Sequence, residues 1–533
     1  MKLRLLFLSL LCISCSTAVR ASRILIPMDS AGQKNHLKAY GIAFAALQEG
    51  IPVDWLLNYK GGSFSMENDK DMEVLCRQRG VSYTKLNDKQ YAHIVKEIAD
   101  PGFNGAVVKL EKAPKIAVYT PLNKEPWDDA VTLALTYAQI PFDKLYADEV
   151  LAGALDKYDW LHLHHEDFTG QYGKFWGQFQ NAEWYKNDQK TMEALAAKNG
   201  YKKVSQMQLA VVKKMRDFVG AGGNLFAMCS ATETFDIALA AEGTDICSEP
   251  FDGDAMDPNA QSKLDFTKCF AFKDFTISSN PYEYTHSTID NTFTRKIDYV
   301  GYDKDTKQLT SNDYFTLPSA PAKFDQVPAM LCQNHTDRIR GFMGQTTAFR
   351  KEVIKPDVMI LGNGISEGGQ DSDNFEARYI HGAYQKGTWT FYGGHDPEAY
   401  QHHVGDPVTD LGKYPNSPGY RIILNNVLFP AAKKTVVPTV VVNSKEGSGA
   451  RTSAEQVVTA NHISIYPNPT NDELVISYPR GKVGAVAIIN VAGKEVVNYT
   501  YSTENVSVNI KDLAPGMYLI KVNGNYAGRV VKE

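Results

Sequence analysis

The sequence predicts an α/β body, a mostly parallel sheet with helices on both faces, followed by a small C-terminal all-β sandwich. Three observations carry that reading. Short apolar runs and amphipathic stretches alternate from residue 22 to about 432, the order that parallel strands with right-handed crossovers require. Residues 433–460 then become a linker, Val/Thr/Pro first and Ser-Lys-Glu-Gly-Ser-Gly after. From residue 461 the pattern switches to period-two strands separated by Asn/Gly turns.

Composition sets the outer bounds. The 533 residues, 43% hydrophobic and 22% charged, suffice for about two to four domains with a large core. A net charge of −5 gives no electrostatic case for nucleic acid or an anionic membrane as partner. Residues 1–21 read as a signal peptide: Lys2 and Arg4, an apolar run at 5–13, and Val19-Arg20-Ala21 as a small-x-small cleavage site. That run is too short to span a bilayer, and Cys15 has Cys12 three residues before it where a lipoprotein site has leucine. With no later transmembrane segment, the mature protein is expected to be exported and soluble. Five cysteines follow the signal, Cys76, Cys229, Cys247, Cys269 and Cys332, and an odd number leaves at least one thiol unpaired within the chain.

The elements follow in order. Residues 22–112 form an N-terminal α/β lobe, with a strand at 23–27, a helix at 35–49 capped by Asn35, and a strand at 52–57 before Gly61-Gly62. The same order returns in the domain at 113–432, with a strand at 115–120, a helix at 127–138 and a strand at 140–145. The likeness of 48–56 to 138–145 leaves an internal duplication open. The next strand, at 158–167, ends in His162, His164, His165, Glu166 and Asp167. An aromatic insertion follows (Phe168, Tyr172, Phe175, Trp176, Phe179, Trp184 and Tyr185), then a helix at 204–219. Residues 243–356 are irregular and partly β, a wall for a site. Strands at 357–362 and 388–392 come next, the second running into Gly393-Gly394-His395-Asp396-Pro397-Glu398, and a helix at 420–429 closes the body.

Cys229 stands between a buried strand and a helix expected at 233–241. Ala227-Met228-Cys229-Ser230-Ala231 has the small-x-nucleophile-x-small form of a nucleophile elbow, whose small flanks allow the sharp turn that exposes the nucleophile. The helix N-terminus would favour the thiolate. The plain alternative is a buried core cysteine. In an open α/β sheet, ligands bind beyond the carboxyl ends of the strands. That rule gathers the His162–Asp167 cluster, Cys229 and the His395/Asp396/Glu398 cluster on one rim.

Two resemblances add to this. Ile465-Tyr466-Pro467-Asn468-Pro469-Thr470, Glu473-Leu474-Val475-Ile476 and Leu513-Ala514-Pro515-Gly516-Met517-Tyr518 make residues 461–533 resemble the type IX secretion C-terminal sorting domain of Bacteroidetes. The resemblance implies passage across the outer membrane by the type IX machinery, removal of the module, and release or attachment at the cell surface. In the body, the elbow cysteine followed by Gly393-Gly394-His395 before a last helix resembles the class I glutamine amidotransferase-like superfamily and its ThuA-like branch. That implies a flavodoxin-like sheet and amide hydrolysis through a cysteinyl thioester, with Cys229 as nucleophile and His395 as base. Ala227 and Ala231 replace the usual glycines, and Pro397 stands where active members carry glutamate. Glu398, Asp396, Glu166 or Asp167 would have to substitute. The body also resembles exported proteins labelled asparagine synthetase B, but the residues oppose that activity. Mature Ser22 stands where the amidotransferase cysteine belongs, Ser366-Glu-Gly-Gly-Gln-Asp-Ser372 only partly echoes a pyrophosphate loop, and an exported protein meets no ATP.

The leading expectation is therefore a cysteine-dependent hydrolase of an amide or acyl bond that needs no cofactor. Cys229, His395 and Glu166 or Glu398 would be catalytic, while His165, Asp167, Trp176 and Asp396 would contact a small-molecule, peptide or glycan substrate. A second expectation is a zinc site on His162 and His164, which alternate along a strand and share a face. Glu166, His395, His402 and His403 would complete its shell, and metal-activated water would replace the thiol. A third is a non-catalytic surface protein that binds glycan or peptide through the aromatic insertion.

Overall fold

The computed structural model describes residues 22–432 and 464–532, apart from 101, 122–128, 293–298, 304–307, 312, 318–337, 341–343, 367–375, 399–406, 467–469, 478–481, 491–493, 504 and 524. The signal peptide, the linker, Cys332, His402, His403 and most of the stretch after Ser366 lie outside the described residues.

The body is organised on a sheet of ten described strands. Its first half comprises β6 (Ile116–Tyr119), β7 (Asp143–Leu145), β8 (Trp160–Leu163), β9 (Asn224–Met228) and β17 (Gly387–Tyr392). These lie in the order β7-β6-β8-β9-β17, and every pair is parallel. Counted along the chain, that is 2-1-3-4-5, a doubly wound order. The second half is antiparallel: β12 (Asp313–Thr316), β13 (Arg338–Arg340), β15 (Met359–Ser366) and β16 (Glu376–Tyr384) extend the sheet beyond β17, and β14 (Phe349–Arg350) pairs with β16. The sheet is thus mixed and not mostly parallel. A short turn through Gln385 and Lys386 sends β17 back along β16, and a hairpin can only pair antiparallel.

Period-two alternation fills both faces. Ile116, Val118, Trp160, Phe226, Met228 and Tyr392 join one core with α1 (His36–Gln48), α4 (Ala130–Ala138) and the closing helix Pro418–Leu428. Ala117, Tyr119, Leu161, Leu163, Leu225, Ala227 and Phe391 join a second core with α5 (Ala147–Leu151), α8 (Val204–Ala221) and α9 (Ser230–Ala240). Each large aliphatic or aromatic side chain removed from water in this way stabilises by about 1.5–3 kcal/mol. Helix α1 approaches α4 through Gly41, where a Cβ would stand 1.8 Å from the Ala138 carbonyl oxygen.

The N-terminal lobe departs from expectation. Strands β1 (Arg23–Ile26), β2 (Val53–Leu57), β3 (Ser63–Glu67), β4 (Thr84–Leu86) and β5 (Ala106–Leu110) form a separate sheet ordered β4-β1-β3-β2-β5, with every pair antiparallel. Helices α2 (Lys70–Arg79) and α3 (Asp88–Ala99) connect its later strands. The strand at 53–57 therefore does not repeat the role of the parallel strand at 143–145, and the short likeness between them reflects shared turn chemistry. On one face of this sheet Leu25, Leu56 and Leu86 pack against Ile94 and Ile98 of α3 in a small core of the lobe's own, while the other face joins the body. Ile24, Trp55 and Phe64 belong to the same apolar cluster as Tyr392 and Ile422.

Strands β10 (Tyr299–Asp303) and β11 (Gln308–Ser311) form a separate hairpin. The C-terminal module packs a three-stranded sheet of β18 (Ser464–Tyr466), β19 (Glu473–Ser477) and β22 (Asn505–Asn509) with a four-stranded sheet. The latter comprises β20 (Val483–Asn490), β21 (Glu495–Thr503), β23 (Gly516–Val522) and β24 (Asn525–Lys532). Leu474, Ile476, Val486, Ile488, Val508 and Ile520 fill a core distinct from those of the body.

Candidate active site

Cys229 sits between β9 and α9 with φ 51° and ψ −140°, a conformation that costs a non-glycine residue about 1–3 kcal/mol. The helix begins at Ser230, three residues earlier than its sequence pattern suggested. The turn is held from two sides. The Cys229 N–H donates to the carbonyls of Tyr392 (3.3 Å) and Gly394 (3.2 Å), while the Thr232 hydroxyl and N–H donate to the Cys229 carbonyl at 2.6 and 3.2 Å. The residue is 3% exposed. Its thiol stands at the positive end of an eleven-residue helix.

His395 follows β17, which neighbours β9, so the parallel register carries it to the same rim. Gly344 marks how closely the two meet. A Cβ built on it would lie 2.9 Å from Cys229 Sγ, 3.0 Å from His395 Nε2 and 2.5 Å from His395 Cδ2. Sulfur and imidazole thus converge on one point of the backbone, which only glycine can occupy at its φ of +118°. His395 is 6% exposed.

Behind His395 lies the histidine cluster. The His164 and His395 rings meet edge-on with centroids 5.0 Å apart, and His164 lies 4.4 Å from the exposed His165 ring. His162 in β8 and His164 just past its end have ring centroids 6.1 Å apart, and both turn toward Asp129, the N-cap of α4. Asp129 Oδ1 accepts from the N–H groups of Val131 and Thr132 at 2.8 and 3.0 Å. Its Oδ2 lies 3.2 Å from His162 Nε2 and 4.0 Å from His164 Nδ1. Burial pushes the Asp129 carboxyl up, but the two imidazoles outweigh it and hold the group well below the usual range.

The carboxylates expected beside His395 are placed differently. Glu166 Oε2 accepts from the His164 N–H at 2.9 Å, and burial pushes this carboxyl up to about 7 against the pull of His164. Glu398 accepts from the Ser417 hydroxyl and is likewise pushed up to about 7 by burial. Asp396 is fully buried. It takes Thr409 Oγ1 at 2.6 Å, Tyr420 Oη at 3.2 Å and the Glu398 N–H at 2.9 Å, so it braces the closing helix where a substrate contact was expected. Asp167 is also turned inward. It accepts from the N–H groups of Thr169 and Gly173, both at 2.7 Å, and faces His286 Nε2 at 3.2 Å.

That last contact opens a network the sequence did not reveal. His286 Nδ1 lies 3.7 Å from Glu233, whose oxygens accept from Thr346 Oγ1 at 2.7 Å and Ser287 Oγ at 2.8 Å. The Thr346 carbonyl in turn accepts from the Gly394 N–H at 3.2 Å, beside His395. Burial works against a charged His286, but Asp167 and Glu233 outweigh it and raise its pKa to about 9, while Asp167 falls to about 2. No spacing in the sequence links residues 167, 233, 286 and 346; the only prior signal was that residues 243–356 would wall the site.

Trp176 is half-buried and meets Tyr282, which is 69% exposed, with centroids 5.2 Å apart. Phe175, Phe179, Trp184, Tyr185 and Tyr172 form a continuous chain of edge contacts behind them. Phe175 also touches Tyr284 at 5.6 Å, and burial followed by the nearby Cys229 raises the Tyr284 phenol. The aromatic insertion therefore reaches from the surface to the neighbourhood of the thiol. None of Cys76, Cys229, Cys247 and Cys269 is in a disulfide, and the described residues contain none. Burial pushes Cys76 up to about 12 and raises Cys247 and Cys269 well above the usual thiol value.

Residues 464–533 match the family described as "Secretion system C-terminal sorting domain". The protein is accordingly of the kind that Bacteroidetes export by type IX secretion, to the cell surface or exterior, with the tail removed. The chain is also 32% identical over 69 residues to beta-agarase A of Zobellia galactanivorans. This match covers 13% of either chain, so the chain spans only that share of its curated relative. Among solved structures, the cytoplasmic protein STM3548 from Salmonella typhimurium aligns at 11% identity and a TM-score of 0.28, over 60% of this chain and all of that one. Beta-galactosidase from Bacillus circulans sp. alkalophilus aligns at 10% and 0.23, over 75% and 42%. At these scores neither carries an argument. No helix among the described residues is long and apolar enough to cross a membrane.

Proposed function

We propose that the body is a secreted cysteine-dependent hydrolase of an amide or related acyl bond, on a flavodoxin-like scaffold similar to the class I glutamine amidotransferases. The observation that carries this reading is the convergence of Cys229 Sγ and His395 Nε2 on Gly344, with Cys229 held at positive φ on a helix N-terminus. In this mechanism His395 takes the thiol proton and Cys229 Sγ bonds to the substrate carbonyl carbon. The C–N bond then breaks as the imidazolium returns the proton to the leaving amine, and water cleaves the thioester. His164 packs on His395 and is backed by Asp129, the support that a triad's third member gives. Glu166 acts one step further out, through the His164 backbone. His165, the one exposed histidine of the cluster, and Trp176 would meet the substrate.

The other reading is a surface protein that binds glycan or peptide without chemistry. The exposure of Trp184 (43%) and Tyr282 favours it, since rings left in water suit stacking.

Iodoacetamide labelling across roughly pH 5–9 with mass mapping of each cysteine separates the two. Rapid labelling of Cys229 with a midpoint below about 8.5, while Cys76, Cys247 and Cys269 stay unlabelled, supports the hydrolase. Amide substrates that yield a Cys229 thioester, absent from Cys229→Ala, would complete the case. A Cys229 as inert as the other three overturns it and leaves the binding reading.

A further inference from the structure

We propose that Asp129, His162 and His164 form a binding site for a divalent transition-metal ion of the zinc type, behind His395. The inference stands independently of whether Cys229 is a nucleophile. Each residue offers one donor atom, the three atoms lie within 4.8 Å of one another, and all three residues are buried.

His162 is held between two oxygen atoms. Its Nδ1 faces the Phe226 carbonyl oxygen at 3.2 Å, and its Nε2 faces Asp129 Oδ2, also at 3.2 Å. Both partners only accept. The carbonyl fixes one proton on Nδ1, so the Nε2 lone pair of a neutral ring points at a carboxylate oxygen. Something positive must stand between them, either a second proton or a metal ion. A charge-assisted N–H···O bond closes to about 2.7–2.9 Å. A tetrahedral ion with bonds of about 2.0–2.1 Å instead holds its ligand atoms about 3.3–3.4 Å apart. The observed 3.2 Å also falls within the N–H···O range, so the site is carried by the gathering of three buried donor atoms within 4.8 Å.

The surroundings agree. A metal-bound histidine commonly donates its other N–H to a backbone carbonyl, which fixes the ring and its tautomer, and His162 does this with Phe226. Asp129 is fixed by α4, which spends Oδ1 on its own first turn and leaves Oδ2 for the cluster. His164 offers the third donor, with its Nδ1 4.0 Å from Oδ2. Two imidazoles and one carboxylate suit zinc and its first-row neighbours over calcium or magnesium, which take oxygen ligands. Through His164 the ion would set the orientation of the His395 ring.

The test uses the full-length protein, stripped with chelator, reloaded with zinc and measured for metal content and thermal unfolding. The expected result is about one tightly held equivalent and a rise in Tm with zinc. Asp129→Asn keeps the helix cap, because asparagine caps as well as aspartate, yet loses the anionic ligand. It should bind at least about 100-fold more weakly. His164→Gln should do the same, and serves if the first variant folds poorly. Cys229→Ala should keep the full equivalent whether or not it abolishes hydrolysis. Less than about a tenth of an equivalent in the wild type with no zinc-dependent Tm would identify a protonated histidine pair and overturn the proposal. Zinc retained by Asp129→Asn, or lost from Cys229→Ala, would overturn it as well.

Discussion

Two buried histidine–carboxylate clusters flank the Cys229 turn, built from the same residue types in opposite ratios. Asp129 serves two imidazoles, His162 and His164. His286 serves two carboxylates, Asp167 and Glu233. In the second, each ring nitrogen faces its own carboxylate, the two acids together keep the ring charged, and they accept further from backbone N–H groups and hydroxyls. Such a cluster is complete and works as a brace. In the first, a single negative charge faces two rings, and one of those rings has acceptors on both sides. It is in this cluster that the proposed ion would supply the positive charge. Stoichiometry, more than residue type, separates a strut from a site.

The sharpest way to break the comparison is His286→Ala, which leaves Asp167 and Glu233 buried as like charges without their cation. Loss of such a partner costs about 3–5 kcal/mol, read from urea unfolding, and should loosen the Thr346 contact beside His395. A pH series sharpens the same point. His286 is raised from 6.5 to about 9, so its stabilisation is complete below pH 6.5 and is lost as pH rises through 9. Glu166 and Glu398, raised from 4.5 to about 7 by burial, favour their neutral forms in the fold. Their contribution is present below pH 4.5 and disappears as pH rises through 7. Wild-type stability should therefore fall in two windows, and His286→Gln should flatten only the upper one. Gly344→Ala should cost about 1–3 kcal/mol from its positive φ alone, and slow Cys229 alkylation because the added methyl abuts the sulfur. The smallest effect on stability belongs to Trp184→Ala. As a surface change it should stay within about 0.5 kcal/mol by thermal unfolding, so any loss of glycan or peptide capture would report binding alone.

What the sequence made legible was local. The alternation in His162-Leu163-His164 placed both rings on one face, and the small flanks of Cys229 marked a tight turn. The cap at Asn35 started its helix where expected, with Asn35 Oδ1 accepting from the Lys38 N–H at 2.9 Å. Long-range pairing left no such trace. An antiparallel strand such as 53–57 and a parallel one such as 143–145 have similar composition, so the N-terminal sheet and the mixed character of the main sheet were hidden. Asp129 fell inside the helix expected at 127–138 and was not singled out, Gly344 lay in an irregular stretch, and His286 had no recognisable neighbour. Asp167 and Asp396 looked available because acids beside histidines usually suggest chemistry, whereas the fold consumes them internally.

The seam between the two ends of the body has a consequence for how the chain reaches its fold. Arg421, fully buried in the closing helix, donates to the Gly61 carbonyl and lies 3.5 Å from the Met28 carbonyl, 393 residues earlier. Tyr40 reaches Asn425 in the same helix, Leu37 N–H donates to Pro415, and Glu111 N–H donates to Ala431. The first sheet thus borrows its lid from the end of the body. Contacts of such separation make folding slow, because the loop must close before the contact is gained. A nascent chain cannot finish its first lobe until residue 421 or so has emerged. The sorting module carries a core of its own, so it can fold without waiting for that closure, and its later removal takes nothing from the seam.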